Sequence, residues 1–235
     1  MTGVIPWLTE REEFPPVAQA LREPNGLLAA GGGLSPERLL AAYRRGIFPW
    51  YSGNQPVLWW SPDPRMVLFP IEFRMPRSLN KRLRRHDYEI RVDSAFPEVM
   101  NACAMPRSDG AGTWISGDMI DAYCRLHRLG YAHSVETWID GKLAGGLYGM
   151  AIGRAFFGES MFARVNDASK IAFAHLMHQL ARWQFGMVDC QMNTAHLARF
   201  GAREIARAEF SQKLTELVNY PSDAIPWQFE DNLFK

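Results

Sequence analysis

The sequence has no apolar run approaching the ~18 residues needed to cross a bilayer, so no membrane span is expected. It has only three cysteines in 235 residues, Cys103, Cys124 and Cys190. An odd number with no CxxC pair argues against a disulfide framework or a zinc site and suits reduced thiols in a cytoplasm. An excess of one charge is also missing. The 26 Lys and Arg residues face 25 Asp and Glu, a formal net charge of +1. That excludes a histone-like basic protein and an acidic disordered tail. There is no internal repeat, no G-x-G-x-x-G and no G-x-x-x-x-G-K-[ST] string, so ATP and dinucleotide binding have no support. His133, His175, His178 and His196 have no HExxH or CxxC company, so neither a metal nor another cofactor is expected. Met1 to Phe14 holds neither a basic start nor an apolar stretch, so no secretory signal is expected.

What is present is ordinary globular material, 47% hydrophobic and 22% charged, with a high count of eight tryptophans. Ser35 and Pro36 predict a helix start, and Gly46 predicts its end. The Ser61-Pro62-Asp63-Pro64 stretch cannot continue a strand or helix, because its prolines remove donors and restrict their neighbours. A junction there divides the chain into a small domain, 1–62, and a larger one, 63–235. In the larger part Ser116 or Asp118 opens a helix closed by Gly130. His133–Ile139, Leu143–Ile152 and Ala155–Phe162 read as an antiparallel meander turning at Asp140-Gly141 and Gly153. Asn166 or Asp167 caps a long helix closed by Gly186. Met187–Met192 reads as a short strand, and Asn193 caps a helix ending near Gly201. This order resembles the acyltransferase fold of the GNAT class. The expected fold class is α+β, a small N-terminal domain plus a GNAT-like domain with a mostly antiparallel sheet.

Charge is segregated. Arg74 to His86 holds six basic residues and no acid, leaving 20 basic against 25 acidic elsewhere, a net of −5. The plain interpretation is a solvated face. The functional one is a phosphate-contacting patch, with Lys81, Arg82, Arg84 and Arg85 its centre. Asp189 and Gln191 are two apart on a strand, so both side chains leave one face while Cys190 points toward the core. A carboxylate beside an amide can hold it by accepting its N–H, although a strand-end polar pair serving local backbone is the commoner case. Glu159 and Met161 share a face with Phe157, and Phe156, Gly158 and Ser160 share the other. A glutamate in that aromatic strand must be paired or open to a cleft. Trp50, Trp59, Trp60 and Trp114 sit in loop-like surroundings, as core edges or as stacking platforms for bases. Arg107 to Gly112 fits the letters of a coenzyme A loop but not its place after the meander.

Taken together, six blocks resemble the leucyl/phenylalanyl-tRNA–protein transferase family. They are Arg22–Leu28, Gly46–Trp50, Trp59–Arg65, Gly112–Ile115, Phe157–Phe162 and Asp189–Gln191, stretching over most of the chain from residue 22 to about 202. The family often has aspartate where Gly33 stands and methionine where Leu147 stands, the second a change that could reshape the amino-acid pocket. The resemblance implies a cytoplasmic aminoacyltransferase, and a monomer is expected because nothing in the sequence suggests a large apolar interface. It would move Leu, Phe or Met from aminoacyl-tRNA to proteins with N-terminal Lys or Arg, marking them for N-degron (N-end rule) degradation. By the same resemblance Asp189 and Gln191 form the catalytic pair, and Trp50 and Trp114 hold the terminal adenosine. Phe156, Glu159 and Met161 would help form the aminoacyl site. The rival expectation is an acetyl-CoA-dependent acetyltransferase of the GNAT type.

Overall fold

A computed structural model describes residues 4–53, 55–106, 113–220, 227–230 and 234. Its first sheet is built from β1 (Trp7–Leu8), β2 (Leu27–Gly31), β3 (Phe48–Pro49) and β4 (Leu58–Trp60), in the order β1-β2-β4-β3. Helix α1 (Pro36–Tyr43) links β2 to β3. Its start follows from sequence: the Ser35 hydroxyl accepts the Arg38 N–H at 3.2 Å, and Pro36 takes the first turn, where no N–H is needed. Gly46 ends the turn with φ of 71°, and a β-carbon there would lie 2.5 Å from the Phe210 ring. Both the backbone sign and the close approach require glycine.

The chain continues through β5 (Arg65–Leu68), α2 (Arg77–Leu83), β6 (Glu89–Val92), α3 (Phe96–Ala104) and α4 (Gly117–Arg128). Then come β7 (Ala132–Ile139), β8 (Lys142–Ile152), β9 (Ala155–Ala163) and α5 (Ala168–Arg182). The last elements are β10 (Met187–Gln191), α6 (Ala195–Ala198), β11 (Arg203–Ile205) and α7 (Arg207–Val218). The seven strands of the second sheet run β11-β5-β10-β9-β8-β7-β6. Every pair is antiparallel except β9–β10. This is the expected α+β class, with an antiparallel meander, a crossing helix and a returning parallel strand. The β7–β8 turn places Asp140 and Gly141 at φ of 50° and 69°, the left-handed pair that a two-residue hairpin demands.

Helix α5 covers one face of this sheet. Ile171, Leu176 and Met177 pack there with Met66, Leu147, Phe156 and Val188. Helices α3 and α4 cover the other, where Phe96, Met119 and Leu126 join Val67, Met150 and Phe157. That second core does not stop at Ser61–Pro64, because Leu39, Tyr43, Phe48 and Trp59 belong to the same cluster. Two caps differ from expectation. The last cap before α6 is Thr194, whose hydroxyl accepts the Leu197 N–H, not Asn193. Asp167 stands at the start of α5 but caps nothing; its carboxylate takes Lys170 Nζ at 2.6 Å.

Candidate active site

Two strand irregularities open the molecule. On β9, Gly158 pairs with Gly149 and Ser160 with Tyr148, so Glu159 has no partner on β8. On β10, Asp189 pairs with Val67 and Gln191 with Met66, so Cys190 is the extra residue. The parallel pairing of β9 and β10 ends at Phe157 and Asp189, just before both bulges. Bulges bend a strand and re-aim its side chains. Beyond them the strands diverge around a cleft of about 670 Å³.

Trp50, Trp114, Phe156, Glu159, Met161 and Gln191 all line this cleft. Trp50 is held at the mouth by its carbonyl, which accepts Trp60 Nε1–H at 2.6 Å, and by an edge contact with the Trp60 ring. The Phe156 ring lies against β8 where a β-carbon on Gly149 would clash with it. Leu147, a position singled out for its departure from the family pattern, is buried in the cleft wall opposite Met161 in register. The bulge corrects the expected face assignment. Phe156 and Met161 pack together on the α5 side, and Phe157 belongs to the opposite core. Alternation counts residues of one strand and misses an extra one. Cys190 packs toward the α5-side core, away from Asp189, as expected, and from there it also lines the cleft beside Gln191.

Glu159 is the one carboxylate among the described residues that line the cleft. Tyr43 Oη donates to its Oε1 at 2.6 Å, and Tyr123 Oη donates to its Oε2 at 3.1 Å. Gln191 Nε2 donates to Oε1 at 3.1 Å. Loss of water pushes the Glu159 carboxyl up to about 7, against the pull of these hydrogen bonds. Burial, with Glu159 as neighbour, likewise holds the Tyr43 and Tyr123 phenols well above their usual range.

Asp189 is not in the cleft. It lies beneath it, 1% exposed, gripped by Arg65 through Nε–Oδ1 at 2.8 Å and Nη2–Oδ2 at 2.7 Å. The Arg65 guanidinium is sandwiched between the Phe48 and Phe210 rings, 4.7 Å from each centroid. Asp189 Oδ1 also accepts the backbone N–H of Gln191 at 2.9 Å, pinning a residue with φ of 63°. The expected hold of Asp189 on the Gln191 side chain is thereby corrected. Asp189 sets the backbone, and Glu159 sets the amide.

None of Lys81, Arg82, Arg84 and Arg85 lines the cleft. Lys81, Arg84 and Arg85 are exposed on and after α2. Arg82 differs, because it pairs with Asp87, lies over the Tyr88 ring, and keeps only 12% of its side chain exposed. Arg107 to Gly112, the coenzyme A-like string, lies outside the described residues. Arg65, Tyr43 and Tyr123 acquire a place in the site that sequence alone did not assign. One signal was present: Tyr123 sits on the apolar stripe of α4, and a buried phenol needs a partner.

The model of the leucyl/phenylalanyl-tRNA protein transferase family matches residues 67–215, and that of its N-terminal domain matches residues 32–63. A leucyl/phenylalanyl-tRNA–protein transferase from Nitrosospira multiformis is 63% identical over 97% of this chain and 98% of its own. One from Nitrosomonas europaea is 64% identical over 92% of each. Among solved structures, L-PGS from Bacillus licheniformis matches with a TM-score of 0.40 and 10% identity, over 68% of this chain and 52% of that one. A GCN5-related N-acetyltransferase from Kribbella flavida matches at 0.36 and 12%, over 73% and 61%. The class is thus an enzyme that transfers an aminoacyl group. The chain belongs to the leucyl/phenylalanyl-tRNA–protein transferase family.

Proposed function

We propose that this enzyme moves Leu, Phe or Met from aminoacyl-tRNA onto the N-terminal Lys or Arg of acceptor proteins, marking them for the N-degron pathway. The observation that carries this reading is the cleft, whose apolar walls include Phe156, Met161, Leu147 and Leu176, with a single carboxylate, Glu159, among its described residues. An aminoacyl ester of those three residues presents the apolar side chain that matches these walls, and the carboxylate is left to face the incoming amine. An apolar pocket gains only ~1–3 kcal/mol per methylene, so it accepts all three and excludes β-branched chains by shape. Met161 adapts readily to different occupants.

The aminoacyl ester is already activated, and ester-to-amide transfer runs downhill. The free α-amine, with an ordinary pKa of ~7.7–8.0, is partly neutral near pH 7. The enzyme's task is to align amine and carbonyl. The Gln191 amide nitrogen is turned to Glu159, so its carbonyl oxygen is available to orient the amine. Asp189 acts through Gln191 and is a positioning residue in this scheme. Trp50 and Trp114 stack on the terminal adenosine. Lys81, Arg84 and Arg85 meet phosphates of the acceptor stem, read by shape and charge, and Arg82 contributes least. The enzyme works in the cytoplasm as a monomer of two domains, 1–62 and 63–235.

Incubation of labelled leucyl-tRNA with a protein bearing N-terminal Arg puts label into that protein. No label, with thermal stabilisation by coenzyme A, returns the chain to the acetyltransferase reading.

A further inference from the structure

Tyr43, Tyr123 and Glu159 form a triangle. Tyr43 and Tyr123 touch through their hydroxyls, and each also reaches one oxygen of Glu159. The triangle has three edges, and each edge needs one proton. With Glu159 ionised, the two phenols supply only two protons. With Glu159 protonated on Oε2, the carboxyl donates to Tyr123, Tyr123 to Tyr43, and Tyr43 to Oε1. All three edges are then satisfied with no heavy atom displaced, the Tyr123 hydroxyl hydrogen turning from Oε2 to Tyr43. The arrangement therefore takes up a proton without moving a heavy atom. Oε1 already receives two bonds, from Tyr43 and Gln191, whereas Oε2 receives one. Oε2 is thus the oxygen with a free lone pair.

Asp189, the other acid nearby, has both oxygens engaged by Arg65 beneath the cleft. We propose, resting on the transferase reading above, that Glu159 is the catalytic residue that takes the proton from the attacking amine, and that Tyr43 and Tyr123 are its positioning residues. The amine nitrogen attacks the ester carbonyl carbon, and the N–C bond forms. The amine proton passes to Glu159 Oε2. The C–O bond to the ribose oxygen breaks, and that oxygen takes the proton back from Glu159. Nothing is consumed beyond the two substrates, and Glu159 returns to its starting state.

The groups facing Glu159 are Tyr43 from α1, Tyr123 from α4, Tyr148 from β8, and Asp189 and Gln191 from β10. Burial and the Asp189 charge raise its carboxyl to about 7, while the phenols and Gln191 lower it. A group poised there is suited to both halves of the proton transfer.

The test follows transfer from leucyl-tRNA to two Arg-starting peptides of different amine basicity, from about pH 5.5 to about 8.5. The wild type shows an acid limb near pH 7 that stays in place when the peptide changes. Glu159→Gln loses that limb and slows by about 100-fold or more. Tyr123→Phe, with a melting temperature near wild type, moves the limb upward, because the ionised carboxylate has lost a donor. A limb that tracks only the amine, or a Glu159→Gln rate within about threefold of wild type, overturns the assignment. Should Glu159→Gln fail to fold, an unmoved limb in Tyr123→Phe overturns it equally. No transfer by the wild type would overturn the functional reading itself.

Discussion

Two acids on neighbouring strands are held in opposite ways. Asp189 meets a guanidinium, and its partner is clamped between two rings. Glu159 meets three neutral donors and, among the described residues, no cation. A charge pair of this kind stays as built, because removing either partner strands the other in an apolar site. Neutral donors steady a charge without cancelling it, so the group they hold can change its state. One acid is the footing of the cleft and the other its moving part.

The largest effect expected is on the footing. Arg65→Met should lower unfolding stability by about 3–5 kcal/mol in a urea titration, and Arg65→Met with Asp189→Leu should regain most of it. An unchanged midpoint in the single variant would put both acids in the same category. Asp189→Asn should lower transfer strongly while tRNA affinity, measured by filter binding, stays close to wild type. Equal rates would remove Asp189 from the positioning of Gln191.

Next comes the pH behaviour of the moving part. Glu159 is raised in the fold from 4.5 to about 7, so the folded state binds more protons than the unfolded chain between those values. Its stabilising contribution is complete below about 4.5 and is lost as pH rises through about 7. Thermal melts of Glu159→Gln should lack that decline. Tyr43→Phe should cost on the order of 1 kcal/mol, the ordinary worth of one hydrogen bond. A loss as large as that of Arg65→Met would erase the contrast.

The smallest effect sharpens the comparison on the basic helix, where one guanidinium is hydrogen-bonded and half-buried and others are exposed. Neutralising Lys81, Arg84 and Arg85 should flatten the salt dependence of tRNA affinity, by up to ~0.7–0.9 in slope for each phosphate left without its cation. Arg82→Gln should change it least, since Asp87 already occupies that side chain.

Much of this was legible in the residues. Ser35 with Pro36, and Ser116 ahead of α4, act within a single turn, so they announce their helices locally. Asp140-Gly141 does the same for the β7–β8 hairpin. Trp50, Trp114, Glu159, Met161 and Gln191 were legible as members of family blocks, with Phe156 directly before one, and they meet in one cleft. The bulges were not. Each is a mismatch between strands that meet only in the sheet, so nothing near Glu159 or Cys190 marks it as unpaired. Arg65 was equally silent, because its partner lies 124 positions away and the rings around it come from β3 and α7. The face assignment of Met161 failed for the same reason, a count along one strand applied where two strands had slipped.

The clamp around Arg65 also sets when the enzyme comes into being. Its upper ring, Phe48, emerges early in synthesis, and its lower ring, Phe210, belongs to the last helix. Asp189 and Glu159 must likewise wait for partners more than a hundred positions apart along the chain. Contacts of such separation form late, after the costs of closing long loops have been met. A nascent chain halted before α7 has the walls of the cleft but only half its footing. Transfer activity thus waits for α7 to emerge and arrives as one event, not by degrees.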